Sequence, residues 1–367
     1  MGLRIAQLVN RAGPTSGGPR RTVEEIGRGY VAAGHARLLI QPGPADSLAE
    51  TDAGWTVTVR SPALSTGHRV LVNLAKVRQV LRRFAPTSLE ISDRGTLTAI
   101  GRWARREHLP AVLFSHERLD DLASIALDLE VSTQVHTLNR WLADIYDKVV
   151  VTTRYSAGEW INTRANLVVC PLGVDLAQFP AGTPAPHPTL RLIHVGRLSR
   201  EKTPHLAVAT AVELDRRGVD VQLNVFGTGP HMEELRMVAG AAPVFFHGYL
   251  DSRAALAEKC RDADIALSVC PSETFGLAAL EALASGTPVV TADRGGAREL
   301  VNATCAEWGS PDPVFLADAV LRLAARLRAD TSAVRQAART RAEAYPWSAT
   351  VARLLEIHQG LSSRPAA

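Results

Sequence analysis

Aromatic residues make up only 5% of the 367 positions, and no apolar run is long enough to cross a bilayer. With so few aromatics and no recognised nucleic-acid module, a nucleic-acid partner is not expected. The four cysteines, Cys170, Cys260, Cys270 and Cys305, lie scattered, without a CxxC pair or a histidine cluster at zinc spacing. They read as buried or idle thiols in a reducing compartment. The tight Asp262-Ala-Asp264 precedes an expected strand, the wrong end for a ligand edge, so no metal site is expected. No GxxxxGK[ST] occurs, which argues against a P-loop nucleotidase, and FGTGP at 226–230 lacks the third glycine and downstream acid of a dinucleotide fingerprint. The opening MGLRIAQLVN is too short and too soon broken for a signal peptide, and it lacks the hydroxyl of a myristoylation signal. A cytoplasmic protein is expected.

What is present is the composition of a soluble globular chain, 46% hydrophobic and 21% charged, with length for two ordinary domains. Short apolar runs alternate with longer helical patterns, which predicts two α/β domains with parallel sheets and crossover helices. Strands are expected at 3–9, 36–41, 55–59, 88–92, 111–115, 147–152 and 167–170, then at 190–195, 220–226, 244–247, 264–268 and 288–291. Helices include 19–33, 69–84, 96–107, 203–217, 276–285 and 314–329. PLGVD and the proline-rich stretch after it form a linker, dividing the chain into 1–174 and 175–346. A last helix, 347–360, can pack against either half.

In open parallel sheets, ligands gather beyond the carboxyl ends of the strands, where helix N-termini offer free N–H groups. Polar residues and glycines fall there repeatedly: Gly17 and Gly18, Asp93 and Arg94, His116, Arg197, Gly227, Asp251 and Glu273. In PSETFGLAALEALASGTPVV, residues 271–290, Glu273 is expected ahead of a helix whose first turn is Thr274, Phe275, Gly276 and Leu277, with Glu281 further along. A helix N-terminus suits a phosphate, and carboxylates beside it suit sugar or ribose hydroxyls. The alternative treats both acids as helix-surface residues favoured by the dipole. A helical spacing of eight residues is about 12 Å of rise, too wide for the carboxylate pair of a glycosidase. Arg197 and Lys202, between a strand and a helix, can together meet one diphosphate, or can form an exposed basic turn.

GRLSREK, FGTGP, HGYLD, the E-x7-E from Glu273 to Glu281 and ASGTPVV resemble, in order and spacing, the retaining glycosyltransferases of family 4. That resemblance implies a GT-B fold, two facing Rossmann-like domains with a cleft between them. TSGGPRRTVEEIG, LEISDRGTLTAIGRW, SHERLD and PLGVDL are similar to the actinobacterial phosphatidylinositol-mannoside α-mannosyltransferases within it. The donor implied is GDP-mannose, without a metal or other cofactor, and the acceptor a lipid-linked or other glycan. The resemblance also implies individual roles. Glu273 would hold donor-sugar hydroxyls, Glu281 the ribose, Arg197 and Lys202 the diphosphate. Backbone N–H groups from Thr274 to Leu277, with Gly227, would line the donor, and Gly17 and Gly18 would close over its phosphates. His116 would lie beside the anomeric carbon. Asp251 would read the guanine edge, or else cap the helix that follows it. Asp93 and Arg94 would face the acceptor, Arg94 meeting an inositol phosphate or else pairing within Ser-Asp-Arg.

Residues 69–86 carry Arg69, Lys76, Arg78, Arg82 and Arg83 and no acid. On a helical wheel, Val70, Leu74, Val77, Leu81 and Phe84 make a narrow apolar stripe, which packing on a sheet explains. The alternative is an interfacial surface, with Lys76, Arg78, Arg82 and Arg83 drawn to anionic lipid on the inner face of the membrane. Two other functions stay open: a family 4 transferase using a UDP-sugar and a soluble acceptor, and a nucleotide-sugar-binding regulator without turnover.

Overall fold

The computed structural model describes residues 2–10, 17–65 and 68–363. The chain divides into two compact units. The first comprises Met1–Asp120, Glu130–Leu172 and Trp347–Ala367; the second comprises Asp121–Leu129 and Gly173–Pro346.

The first unit runs β1 (Arg4–Val9), α1 (Gly17–Ala32), β2 (Ala36–Gly43), β3 (Ser47–Thr51), β4 (Gly54–Arg60), the small hairpin β5 (Ala63–Ser65) and β6 (His68–Arg69), and α2 (Leu74–Phe84). It continues through β7 (Ser88–Ser92), α3 (Thr98–Arg106) and β8 (Ala111–Ser115) to the start of α4 (Leu119–Leu127), whose residues from Asp121 onward group with the second unit. It resumes with α5 (Ser132–Ala143), β9 (Lys148–Val151), α6 (Arg154–Ala157) and β10 (Leu167–Val169). Its main sheet has the order β10-β9-β8-β7-β1-β2-β4-β3. The pairs are parallel except for β3 on β4. The central strands are mostly apolar, with Gln7 of β1 and Glu90 of β7 buried among them, and β8 is buried at every residue, as helices on both faces require. The edge strand β3, SLAET, is exposed at every residue and shows no hydrophobic pattern, so the sequence gives no sign of it.

The expected helix at 69–84 starts later. Arg69 belongs to β6, and Asn73 caps the helix by accepting the Lys76 N–H, so Val70 lies outside it and the buried contacts are Val77 and Leu81.

The second unit runs β11 (Leu190–Val195), α7 (Pro204–Arg216), β12 (Val221–Phe226), α8 (Met232–Ala239), β13 (Val244–Gly248), α9 (Arg253–Asp262), β14 (Ile265–Ser268) and α10 (Leu277–Ala284). It ends with β15 (Val289–Ala292), α11 (Gly296–Leu300), β16 (Ala306–Gly309), α12 (Pro313–Ala329) and α13 (Thr331–Glu343). All neighbours in its sheet are parallel, in the order β13-β12-β11-β14-β15-β16. The chain then returns to the first unit as α14 (Trp347–Ser362). There Val351 packs where a Cβ on Gly29 of α1 would come within 2.3 Å of it, and His358 Nδ1 lies 2.7 Å from Ser88 Oγ.

Candidate functional site

In the second sheet the strand order reverses between β11 and β14, which pair directly at Leu192–Ile265. Loops leaving neighbouring strands at such a point diverge and open a crevice. Here they are residues 196–203 and 269–276, which hold Arg197, Lys202 and Glu273 to Gly276 of the expected donor residues.

The loop after β11 is shaped by the glycines of FGTGP. A Cβ on Gly227, whose φ is +144°, would lie 1.8 Å from the Gly196 carbonyl oxygen, and one on Gly229 would lie 2.2 Å from that of Leu198. The two loops run in backbone contact, with Leu198 N–H donating to Thr228 O at 3.0 Å. This close approach accounts for Gly227. A 3-10 turn over Arg200–Lys202 then brings Lys202 Nζ to 2.9 Å from Glu273 Oε2. Arg197 is more open, its side chain 41% exposed and 3.5 Å from Glu201. The Cys270 thiol and Ser272 hydroxyl both reach the Glu201 carbonyl, at 3.3 Å, tying the two loops together.

The loop after β14 differs from expectation. Thr274, Phe275 and Gly276 are not the first helical turn: Gly276, at φ +100°, is the N-cap, and α10 begins at Leu277. The helical-rise argument for the two glutamates therefore fails, because Glu273 precedes the helix. The carboxylates instead pair with different cations, Glu273 with Lys202 and Glu281 with Arg253. Phe275 is buried and meets Tyr345 edge-on at 6.5 Å, so its ring is core and its backbone lines the loop. Gly295 and Gly296 brace the same loop. Gly296 N–H donates to Glu273 O at 2.5 Å, and a Cβ there would lie 2.2 Å from Thr274 O. The first N–H groups of α10 have no acceptor within the helix and present its positive end.

Burial opposes ionisation of Glu273, but Lys202 and the Phe275 and Thr274 N–H groups outweigh it, holding the carboxyl below its ordinary range. Glu281 is not the surface acid of the alternative reading. It sits on a stretch of α10 buried from Ala279 to Ala284, its side chain 6% exposed, and Arg253 Nη2 meets it at 2.8 Å. Arg253, which the sequence reading missed, lies over the Phe179 ring at 4.5 Å and donates from Nε to Gln178 at 3.1 Å. Its pattern signal was slight, one arginine in the first turn of a helix. Asp251 is exposed and is not the cap of α9; Ser252 is, accepting the Ala255 N–H at 3.2 Å.

In the first unit, Gly17 and Gly18 open α1; residues 11–16 before them lie outside the described residues. Asp93 accepts the N–H groups of Gly95 and Leu97, both at 2.9 Å, and so caps the approach to α3. Arg94 does not pair with Asp93 and is not open to an inositol phosphate. It is 7% exposed and forms a 2.7 Å ion pair with Glu159, so its expected acceptor role is corrected. His116 Nε2 lies 2.9 Å from Ser92 Oγ, and its ring stacks on Phe114 at 4.3 Å. Burial pushes its pKa down to about 4, against the pull of Glu90 and with help from Arg94, so the imidazole is neutral near pH 7.

The basic surface is less unbalanced than its sequence. Lys76 meets Asp46 at 2.6 Å, and Arg82 lies 3.7 Å from Glu107 and over the Trp103 ring. Arg78 donates to Leu74 O, and no ion pair is found for Arg78 or Arg83 among the described residues. No helix among the described residues is long and apolar enough to cross a membrane.

Two Rossmann-like units, the second carrying a cation–carboxylate pair and a helix N-terminus at its switch point, define a glycosyltransferase of the GT-B fold. Comparison with known proteins agrees. The family model described as Glycosyltransferase Family 4 matches residues 16–178, and that of Glycosyl transferases group 1 matches 189–326. The chain is 36% identical over 374 aligned residues to the GDP-mannose-dependent alpha-(1-6)-phosphatidylinositol dimannoside mannosyltransferase of Mycobacterium tuberculosis, spanning 96% of this chain and 95% of that protein. It belongs to glycosyltransferase family 4. Two solved structures share the fold. Sucrose-phosphate synthase of Thermosynechococcus elongatus has a TM-score of 0.79 and 21% identity, over 98% of this chain and 99% of that one. Anabaena HepE, in complex with UDP and glucose, has a TM-score of 0.75 and 17% identity, over 99% and 100%.

Proposed function

We propose that this glycosyltransferase moves mannose from GDP-mannose, with retention of configuration, to a phosphatidylinositol mannoside or a related glycolipid. The observation that carries the reading is the end-to-end 36% identity to a mannosyltransferase of that donor and acceptor class. The Lys202–Glu273 pair at 2.9 Å supports it, because it sits where a nucleotide-sugar diphosphate is expected.

As the glycosidic bond to the leaving diphosphate breaks, negative charge builds on its oxygens. Lys202, Arg197 and the N-terminal N–H groups of α10 then bind it more strongly than in the ground state, which lowers the barrier. These cations take the place of a metal ion, so transfer should survive EDTA. Glu273 accepts hydrogen bonds from hydroxyls of the transferred sugar and Glu281 from the ribose. To Gly17 and Gly18 we assign a role toward the donor phosphates, to Asp251 one toward the guanine, and to His116 one toward the transferred sugar. The acceptor oxygen attacks on the face from which the diphosphate leaves; its proton passes to a phosphate oxygen as the new glycosidic bond forms. A covalent sugar–protein adduct, trapped with a slow donor analogue, would rule this route out.

We place the acceptor at an anionic membrane surface reached through α2. Arg78 and Arg83 carry the attraction, since Lys76 and Arg82 have acidic neighbours. At about 1 kcal/mol for each basic residue near the surface, Arg78→Gln with Arg83→Gln weakens binding to acidic vesicles about 30-fold and leaves GDP binding alone. Unchanged vesicle binding sinks the membrane role. The deciding assay gives the purified protein GDP-mannose, UDP-glucose and ADP-glucose in turn, with lipid and soluble acceptors and EDTA. Transfer from UDP-glucose alone, or to soluble acceptors alone, overturns the assignment.

A further inference from the structure

We propose that Arg94, Glu159 and Asn139 form a buried brace that sets the position of the His116 loop. The inference rests on the reading of His116 as a group acting on the transferred sugar. The ion pair of Arg94 and Glu159 has side chains only 7% and 2% exposed. Replacing such a pair by apolar residues of the same size is often neutral for stability, so stability alone is a weak reason for it. Its hydrogen bonds point to another reason. Arg94 Nη2 donates to the Ser115 hydroxyl and to the Glu117 carbonyl at 2.5 Å, gripping the residues on either side of His116. Glu159 Oε1 accepts the N–H groups of the first two residues of α4, where the loop ends, from Leu119 at 2.6 Å and Asp120 at 3.1 Å.

Asn139 joins the two halves: its Oδ1 accepts from Arg94 Nη1 at 3.1 Å, and its Nδ2 donates to the Glu159 carbonyl at 3.2 Å. The Arg94 guanidinium lies 5.0 Å over the Trp160 ring, and this fixes its plane. Arg94 also stands two residues after Ser92, whose hydroxyl meets His116 Nε2. Hence the end of β7 orients the imidazole directly and, through Arg94, holds the backbone that carries it. A guanidinium fork can serve these acceptors together, and a lysine cannot.

The test measures kcat, KM and nucleoside diphosphate affinity for Arg94→Gln and Ser115→Ala, each alone and combined with His116→Ala. A loop shifted by about an ångström lowers kcat on the order of 100-fold in Arg94→Gln. Loss of one hydrogen bond in Ser115→Ala lowers it about fivefold. Diphosphate affinity stays within twofold, because Arg197, Lys202 and the N-terminus of α10, which meet its charge, are untouched by either substitution. In the His116→Ala background neither substitution costs anything further, since both act through His116. Equal losses in the two backgrounds, or full kcat in both single variants, overturn the brace. If Arg94→Gln does not fold, as circular dichroism will report, the Ser115→Ala cycle decides alone by the same criteria. Full activity in His116→Ala by itself would instead refute the role of His116, which keeps the two failures apart.

Discussion

Replacing Lys202 with alanine removes the cation that pairs with Glu273, at 2.9 Å from its Oε2. For stability the expected loss is small, no more than about 1 kcal/mol, because the Lys202 side chain is 37% exposed and solvent screens the pair. Catalysis should suffer more. A unit charge about 4 Å from a phosphate oxygen is worth roughly 4 kcal/mol at an effective dielectric near 20. With the same exposure discount, about 2–3 kcal/mol remains, or a 30- to 150-fold fall in rate. Where the loss falls matters as much as its size. The diphosphate gains charge only as its bond breaks, so kcat should drop far more than KM rises. Burial of Glu273 is then no longer outweighed by its cation, so its carboxyl should titrate higher and the acid limb of the rate profile should move up. Single-turnover rates at saturating GDP-mannose, with GDP affinity from calorimetry, measure both effects. A variant with unchanged kcat and a raised KM would show Lys202 acting only in ground-state binding, and the transition-state argument would fail.

Gly227→Ala should destabilise the protein by roughly 3 kcal/mol or more, since its Cβ meets a carbonyl oxygen at 1.8 Å and its φ is +144°; a denaturant midpoint unchanged from wild type would contradict this. Gly296→Ala should press on the Thr274 carbonyl and displace Glu273, so donor affinity should fall at least tenfold in calorimetry while α10 itself stays helical. Arg253→Gln leaves Glu281 buried without its cation and should cost about 2 kcal/mol. Adding Glu281→Gln should recover part of that loss, and strict additivity in the melts would deny the coupling. His116 titrates near 4 in the folded protein and near 6.5 when unfolded. As pH falls from about 6.5 to 4 the unfolded state therefore takes up the proton first, and about 2–3 kcal/mol of stability is lost. His116→Phe should flatten that slope, and identical pH dependence in the two proteins would place the titration elsewhere.

Several pieces of this structure were written in single stretches of chain. The runs at 88–92, 111–115 and 190–195 become β7, β8 and β11 at those same residues, because each is a short, mostly apolar segment bounded by turn residues. GRLSREK and the E-x7-E stretch marked Arg197, Lys202 and Glu273 through residue type and position after a strand, and the structure brings Lys202 and Glu273 together where the strand order reverses. Other features had no such local mark. SLAET forms an edge strand only because β4 offers it a partner, and the helix expected from 69 starts at Leu74 because Asn73 caps it there.

The pairings were the least legible. Of the two readings open for Arg94, an acceptor contact or a pair with its neighbour Asp93, neither anticipated Glu159 on a later turn, and nothing near Glu281 in sequence showed that α9 would bring Arg253 to it. The glycines of FGTGP read as a weak nucleotide signal, whereas Gly227 and Gly229 answer to the backbone of the β11 loop. By itself, then, the sequence determined the strand runs, the two-unit α/β plan and the residue types gathered at the strand ends, because these depend on short-range pattern. Tertiary structure alone decided which charges neutralise one another, where α10 begins and which glycines are irreplaceable. Each of those depends on how closely two distant backbones approach, and no local pattern encodes that distance.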